Sequence, residues 1–216
     1  MQIVWFKRDL RIEDHAPLAA AAAAGPVIPL YILEPELWQQ PDMSGRHYDF
    51  LGECLAGLDR DLTALGRPLL LRVGDAVDVL SELCAEHKVA TIRVHQETWN
   101  SWTYERDRRV NAWARKAGVR IIEDMQFGVH RRLATRRGWA GRWDRMMAEP
   151  TIAAPSSLPP VDVAGDPWPD PQVLGLAEDR CPRRQQGGRQ AGLDRLTSFL
   201  RTRGEAYRFN MSSPVT

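Results

Sequence analysis

The first 125 residues alternate short apolar runs with segments of helical periodicity, and this alternation restricts the possible folds more than any other feature. Five runs rich in β-branched residues predict strands, at residues 3–6, 27–33, 69–73, 91–94 and 119–122. Their nearly continuous hydrophobicity is typical of strands covered on both faces. Repeated strand–helix units form parallel sheets with right-handed crossovers, so the sequence predicts an α/β domain with a doubly wound, five-stranded parallel sheet.

Leucine spacing and capping residues mark the predicted helices between these strands. One stripe recurs at steps of four and three residues, through Leu51, Leu55, Leu58, Leu62 and Leu65. Asp14 and Asp75 each precede a helical pattern, and we predict that their side chains cap those helices.

The composition changes after residue 130, and this change predicts the domain boundaries. Residues 150–182 hold eight of the 15 prolines, which predicts an extended connector and not a packed element. An amphipathic pattern then returns with Leu193, Leu196 and Phe199, but one such helix cannot bury its own apolar face. We therefore predict an α/β domain at 1–130, a linker at 131–186, and the first helix of a truncated second domain at 187–216.

Net charge and cysteine content exclude several classes of protein. The chain has 29 Lys and Arg residues against 28 Asp and Glu residues, a formal charge of +1, so any affinity for nucleic acid must come from local patches. Three cysteines without C-x-x-C spacing predict neither a disulfide framework nor a zinc site. With no signal peptide and no apolar run near the ~20 residues of a membrane span, we expect a cytoplasmic protein without membrane contact.

Sequence motifs for common catalytic chemistry are missing. The loop after the first predicted strand contains no glycine, so it lacks the phosphate-cradling turn of a dinucleotide site. A G-x-S-x-G nucleophile elbow is also missing. The five histidines show neither metal-ligand spacing nor an adjacent nucleophile. We predict no catalytic residue and no metal ligand in this chain.

Several segments, in order, match one known pattern. Residues 5–15 read W-F-K-R-D-L-R-I-E-D-H, and residues 27–35 end in a proline-containing loop. Residues 46–65 begin with arginine and carry a leucine stripe that ends in the Leu-Gly pair at 65–66. An R-D pair stands at 106–107, and a Gly-Gly pair at 187–188 precedes Tyr207 and Pro214. Together they resemble the DNA photolyase/cryptochrome family, whose opening signature is W-F-R-R-D-L-R-x-x-D-N. Lys7, His15 and Arg189 depart from the residues usual in that family.

The resemblance implies an N-terminal α/β domain that holds an antenna chromophore and a helical domain that holds FAD. In the intact protein, light-excited reduced FAD would split pyrimidine dimers in UV-damaged DNA, which is the lyase activity of a deoxyribodipyrimidine photolyase. Most FAD contacts and the DNA pocket would lie beyond Thr216, so we expect this chain alone to be catalytically incompetent without the missing FAD-binding domain. The alternatives are a sensory cryptochrome without repair activity and a stand-alone nucleotide-binding α/β module.

The loops after the first two predicted strands supply the first candidate cofactor-binding residues. Arg8 and Arg11 flank Asp9, and we favour an internal ion-pair network over contact with a planar or anionic chromophore.

The resemblance places Glu34, Met43 and Arg46 at the antenna pocket. Alternatively, Met43 fills a packing gap and Arg46 is a first-turn surface residue.

A second group of candidates follows the fourth predicted strand. Glu97, Trp99 and Asn100 combine an aromatic ring with donor and acceptor groups, as a flavin- or deazaflavin-type antenna requires; alternatively, Trp99 only plugs a domain interface. Asn100 stands where folate-binding members carry an acidic residue, so folate is less expected. Tyr207 matches a tyrosine that contacts FAD in the family.

The segment 131–145 combines six arginines with Trp139 and Trp143. This pattern is typical of single-strand-binding patches, in which cations contact phosphates and indoles stack on bases. Arginine also packs along apolar surface, and we favour a packed domain interface here.

Overall fold

The computed structural model describes residues 1–131 and 133–211, and it confirms the predicted sheet. Five strands pair in parallel in the order β3-β2-β1-β4-β5. They are β1 (Gln2–Phe6), β2 (Val27–Leu33), β3 (Leu70–Val73), β4 (Thr91–His95) and β5 (Arg120–Asp124). Because the chain moves outward from β1 in both directions, the loops after β1 and β4 diverge and leave a crevice at the carboxyl edge of the sheet.

Helices cover both faces of the sheet. The α-helices of the described residues are α1 (Ala16–Ala24), α2 (Pro35–Trp38), α3 (Gly45–Ala64), α4 (Ala76–Glu86), α5 (Ser101–Ala117), α6 (Trp139–Ala148), α7 (Arg189–Ser198) and α8 (Tyr207–Asn210). Leu80 of α4 and Val110 of α5 belong to one buried cluster, and Leu18 of α1 and Leu58 of α3 belong to the other. The predicted leucine stripe thus packs into one of the two core clusters.

The predicted cap of α4 is confirmed, whereas the predicted cap of α1 is wrong by one residue. Asp75 accepts a hydrogen bond from the backbone N–H of Val77 at 2.8 Å. At α1, Nδ1 of His15 accepts from the backbone N–H of Leu18 at 3.1 Å. Asp14 adopts a left-handed φ of 49°, and its carboxylate instead accepts from the distant Ile152 N–H.

The proline-rich segment is extended as predicted, but the expectation that it is not packed is wrong. Leu158 and Leu174 are buried in the core beside α3. Trp168 stacks on Tyr48 with ring centroids 4.5 Å apart, and the Tyr48 hydroxyl donates to the Pro169 carbonyl at 2.7 Å. Proline prevents regular backbone hydrogen bonding, but it does not prevent neighbouring side chains from entering the core.

The C-terminal helical pattern is divided in the structure. Helix α7 ends at Ser198, a π-helical turn follows at Phe199–Arg203, and α8 comes last. The segment before α7 is held on α3, because Glu53 accepts from the Gly187 backbone N–H at 2.6 Å and from Arg184. Pro214 lies outside the described residues. Among the described helices, none has the length and apolar character needed to cross a lipid bilayer.

Candidate functional site

A large cleft lies at the carboxyl edge of the sheet. Its volume is about 830 Å³, and its walls come from the loop after β1, from α2 and α3, from the loop after β4, and from α7. The predicted residues Arg8, Arg11, Met43 and Trp99 all line it. A cleft of this size is typical of cofactor-binding pockets.

Arg8 and Trp99 form a stacked pair in the wall of this cleft. The guanidinium carbon of Arg8 lies 4.3 Å from the centroid of the Trp99 ring, and Trp99 remains 38% exposed. The pair joins the loops after β1 and β4, which are far apart in the sequence. It presents a flat aromatic and cationic surface, against which a planar ring can stack.

The cleft carries an excess of positive charge. Four lysine and arginine residues line it, namely Lys7, Arg8, Arg11 and Arg189, against a single carboxylate, that of Asp42. Lys7 pairs with Asp107 at 2.8 Å, and Arg189 pairs with a glutamate of the loop after β1. Within the described residues, the guanidinium groups of Arg8 and Arg11 pair with no carboxylate. Their charge favours an anionic ligand.

The ion-pair network expected around Asp9 is wrong in its partners. Arg8 stacks on Trp99, and Arg11 donates to the Asp14 carbonyl at 2.8 Å. The Asp9 carboxylate is bonded instead to two imidazoles, which the chain folds against it from the start of α1 and the end of β4. The sequence could not reveal the contact between Asp9 and His95, because the carboxyl ends of β1 and β4 become neighbours only through the strand order.

Oδ2 of Asp9 accepts from Nε2 of His15 at 2.8 Å and from Nδ1 of His95 at 2.7 Å. Oδ1 accepts from the Lys7 backbone N–H at 2.8 Å. Burial opposes ionisation of Asp9, but the hydrogen bonds from both imidazoles hold its pKa well below the usual range. Burial lowers the pKa of His15, in spite of its contact with Asp9. Asp9 thus locks the loop after β1 as a buried carboxylate.

Asp9, His15 and His95 also have the composition of a metal-binding triad, with ligand atoms within 4.8 Å of one another. The hydrogen bonds argue against that role. Nδ1 of His15 accepts from the Leu18 backbone N–H, so in the neutral ring Nε2 carries the proton and donates it to Asp9. A metal ion would need the Nε2 lone pair, so the arrangement fits a structural lock better than a metal centre.

Glu34 and Glu97, two predicted cofactor ligands, are buried around Arg106 of α5. Arg106 donates to Glu34 at 2.6 Å and also to Glu97 and Asp107. Lys7 completes the cluster through its bond to Asp107. Lys7, Glu34 and Glu97 follow β1, β2 and β4, so the cluster ties three strand ends to one helix.

The pKa of each carboxyl group in this cluster depends on how deeply the group is buried and on which charged groups it contacts. Burial raises the pKa of Glu34 to about 7, although Arg106 opposes the shift. Oε1 of Glu34 is buried and has no hydrogen-bond partner among the described residues. For Asp107, burial is outweighed by Lys7 and Arg106, which lower the pKa of its carboxyl.

Arg46 and Asn100 bind other side chains. Arg46 forms a two-pronged ion pair with Asp179 of the proline-rich segment, at 2.6 and 2.8 Å. Asn100 caps α5 by accepting from the Thr103 backbone N–H at 3.0 Å, and its amide donates to Asp42 at 3.1 Å. Asn100 therefore holds a cleft residue in place, whereas Arg46 does not line the cleft.

Tyr207 stands apart from the other predicted residues. Its ring packs edge-to-face on Phe199 with centroids 5.4 Å apart, and it does not line the cleft. Sequence reasoning missed the cleft residues of α7, among them Gly192 and Leu193, because it assigned that helix to a second domain.

Comparison with known proteins assigns the chain to a family. The family model of DNA photolyase matches residues 2–128, a span that contains all five strands and the loops after β1 and β4. The chain belongs to the DNA photolyase family. The fold agrees, because photolyase structures share the five-stranded parallel sheet with flanking helices.

One curated relative and two solved structures also align with the C-terminal segment of the chain. Cryptochrome DASH of Gloeobacter violaceus is 29% identical over 92% of this chain and 44% of its own length. A bacterial class III photolyase from Agrobacterium tumefaciens is 25% identical and superposes on all of this chain, and on 48% of its own, with a TM-score of 0.74.

An archaeal photolyase from Sulfolobus tokodaii, solved with two FAD molecules and described as implying a novel light-harvesting cofactor, covers 90% of this chain and 45% of its own. It has a TM-score of 0.69 and 24% identity, and so shares the fold. This chain therefore spans less than half the length of these relatives.

Proposed function

We propose that this chain is the light-harvesting part of a deoxyribodipyrimidine photolyase and that its large cleft holds a flavin- or deazaflavin-type antenna. The observation that carries the proposal is the Arg8–Trp99 stack in the wall of a positively charged cleft of about 830 Å³. A photolyase of the same fold that contains two FAD molecules, the one from Sulfolobus tokodaii, supports a flavin-type ligand.

The residues present fit such a ligand. The exposed face of Trp99 would stack on the planar ring, and Arg11 would contact an anionic edge or side chain, since its charge has no described carboxylate partner. Met43 and Leu51 line the cleft beside them and would exclude water from the apolar face of the ring. The bound chromophore would absorb light and pass its excitation energy onward; the chain itself binds and orients it.

A folate antenna is less favoured by the same geometry. The family resemblance places Asn100 where folate-binding members carry an acidic contact residue, and the Asn100 side-chain oxygen is engaged in capping α5. The neighbouring Asp42 is bonded to Asn100.

For the intact protein, we propose the division into an α/β domain at 1–130, a linker at 131–186, and the beginning of an FAD-binding domain at 187–216. FAD and UV-damaged DNA would bind mainly to that second domain. Tyr207 is half exposed and contacts Phe199, so its side chain is accessible for a contact with FAD. We expect the 216-residue chain to leave dimer-containing DNA unchanged under illumination, and measurable dimer splitting by it would contradict this division.

A sensory cryptochrome is the second candidate, because a Cryptochrome DASH aligns with 92% of the chain. The two candidates differ in one measurement. Illumination of the protein carrying its complete FAD-binding domain should convert thymine-dimer oligonucleotides to repaired strands if the protein is a photolyase. A flavin that is photoreduced without loss of dimers would favour the cryptochrome.

The antenna proposal is tested by ligand binding to the purified chain. FMN and an 8-hydroxy-5-deazaflavin are titrated separately and followed by fluorescence anisotropy. At least one should bind, and Trp99→Ala should weaken its binding by about tenfold, a typical effect of removing a stacking ring. Trp139→Ala is the matched control, because Trp139 is similarly exposed but lies on α6. If neither compound binds, or both variants weaken binding equally, the antenna proposal fails.

A further inference from the structure

Helix α6 and the residues before it form a surface that the proposed antenna site does not use. This arginine–tryptophan surface consists of Arg136, Arg137, Trp139, Arg142, Trp143 and Arg145. None of these residues lines the large cleft. Helix α6 buries none of its own residues, and the packed domain interface favoured from the sequence stays a prediction.

One tryptophan anchors the helix and the other is left available. The Trp143 ring packs so closely on Gly128 that a Cβ at that glycine would lie 2.1 Å from Cε3 of the ring. Trp139 lies one turn earlier, with its ring centroid 5.6 Å from that of Trp143, and is 40% exposed. The anchored indole thus holds a second indole in a defined place at the surface.

Four arginines accompany this exposed ring. Arg142 follows Trp139 by three residues and Arg145 follows Arg142 by three, so each lies next to the preceding side chain on the helix surface. Arg142 also donates to the Arg137 carbonyl at 3.1 Å, which draws the preceding turn onto the helix. Across the described residues, the guanidinium groups of Arg136, Arg137, Arg142 and Arg145 form no ion pair with a carboxylate.

Three arginines of the linker and α7 differ from this surface in their pairing. Arg180, Arg184 and Arg189 each bind a carboxylate. The positive charge on α6 is therefore left for an external anion, and guanidinium groups bind phosphate through planar, two-pronged contacts.

We propose that the arginine–tryptophan surface binds single-stranded nucleic acid, with the arginines on consecutive phosphates and Trp139 stacked on an unpaired base. A spaced row of cations beside an exposed ring matches a phosphate chain with its bases. A single strand fits better than a duplex, because duplex stacking covers the base faces that Trp139 would contact. A lipid surface fits less well, because Trp143 is already packed on Gly128 and cannot insert among acyl chains.

The test titrates a fluorescein-labelled oligothymidylate with the 216-residue chain at several salt concentrations. Binding should weaken with salt at a logarithmic slope of about −3, as for four neutralised phosphates on a single strand. The variant Arg136→Gln/Arg137→Gln/Arg145→Gln should lose affinity by at least about tenfold and bring the slope toward zero. Trp139→Ala should weaken binding by at least about fivefold and leave the slope unchanged.

Two controls separate this surface from bulk charge and from the antenna cleft. The variant Arg60→Gln/Arg115→Gln/Lys116→Gln removes the same charge from exposed positions on α3 and α5 and should bind the oligothymidylate as the parent does. Trp99→Ala should also retain this binding, so the proposal can fail while the antenna proposal stands. Circular dichroism checks that each variant is folded. The substitutions on α6 should not disturb the fold, because that helix has no buried residues.

Four results would overturn the proposal. They are no oligothymidylate binding at low salt, an equal loss in the control triple variant, equal affinity for a duplex of the same length, and binding to phosphatidylserine vesicles in place of the oligonucleotide.

Discussion

Nη1 of Arg106 lies 2.6 Å from Oε2 of Glu34, and this contact joins α5 to the end of β2 across 72 positions of sequence. Both side chains are almost wholly buried. Because Glu97 and Asp107 bind the same guanidinium group, one arginine neutralises carboxylates from three different elements. The edge of the sheet that carries the cleft is thereby held together by buried charge and not by apolar contacts alone.

Arg106→Met should be among the most damaging substitutions in the α/β domain. It leaves the carboxylates of Glu34, Glu97 and Asp107 buried with Lys7 as their main remaining cation, and loss of one partner from a buried ion pair costs about 3–5 kcal/mol. Urea denaturation measures the free energy of unfolding. Arg108→Met on the same helix is the control, because its pair with a glutamate is exposed and should contribute little. Equal effects of the two variants would contradict a structural role for the cluster.

The raised pKa of Glu34 predicts a specific pH dependence. In the unfolded chain the carboxyl loses its proton near 4.5, whereas in the folded chain it holds the proton up to about 7. The folded state therefore binds more protons between these values, and the contribution of Glu34 to stability falls as the pH rises through that window.

The measurement is the free energy of unfolding of the parent relative to Glu34→Gln at a series of pH values. This difference should decrease by about 1–3 kcal/mol between pH 4.5 and 7 and level off above. A difference that stays constant or rises across this window would show that Arg106 keeps Glu34 ionised throughout.

Asp9→Asn should weaken the lock behind the loop after β1. The amide keeps the size of the carboxylate but not its charge, and hydrogen bonds to a charged group contribute about 1.5–3 kcal/mol each. His15→Asn is the informative partner variant, because asparagine can still cap α1 but is too short to take the place of the imidazole against Asp9. We expect a smaller loss for His15→Asn than for Asp9→Asn by thermal or urea denaturation.

The same carboxylate predicts acid sensitivity. Since the folded pKa of Asp9 lies below its ordinary value of 3.8, its stabilising contribution is present above that value and is lost as the pH falls below it. Asp9→Asn should therefore lose less stability than the parent on acidification from pH 5. A parallel decline of both proteins would argue that other carboxyl groups govern acid unfolding.

Gly187→Ala should detach α7 from α3. A Cβ at this position would lie 2.3 Å from the Phe50 carbonyl oxygen and 3.0 Å from Sγ of Cys54, so the backbone must move and its hydrogen bond to Glu53 is lost. Hydrogen exchange of residues 187–198 should become faster, while exchange in the sheet stays unchanged. Gly192→Ala is the matched control, since a Cβ there meets nothing within 4 Å.

The strands and helices of the sheet could be predicted because their signals are local. Apolar runs of β-branched residues and the leucine stripe of α3 report directly which faces are buried. The opening motif also pointed to Arg8 and Arg11, and the residues after β4 pointed to Trp99, all of which line the cleft. These residues lie at strand ends, where a parallel sheet gathers its loops whatever the details of packing.

Pairings between distant residues followed from the tertiary structure alone. Asp9 binds His95 across 86 positions, and Arg46 binds Asp179 across 133. The sequence determined that a doubly wound sheet forms and which loops reach its carboxyl edge, because periodicity and strand order are set by local burial. Only the tertiary structure decided which charged groups meet at that edge, because a buried charge pairs with whichever partner the fold brings within hydrogen-bond distance. The tertiary structure also decided that the proline-rich segment enters the core.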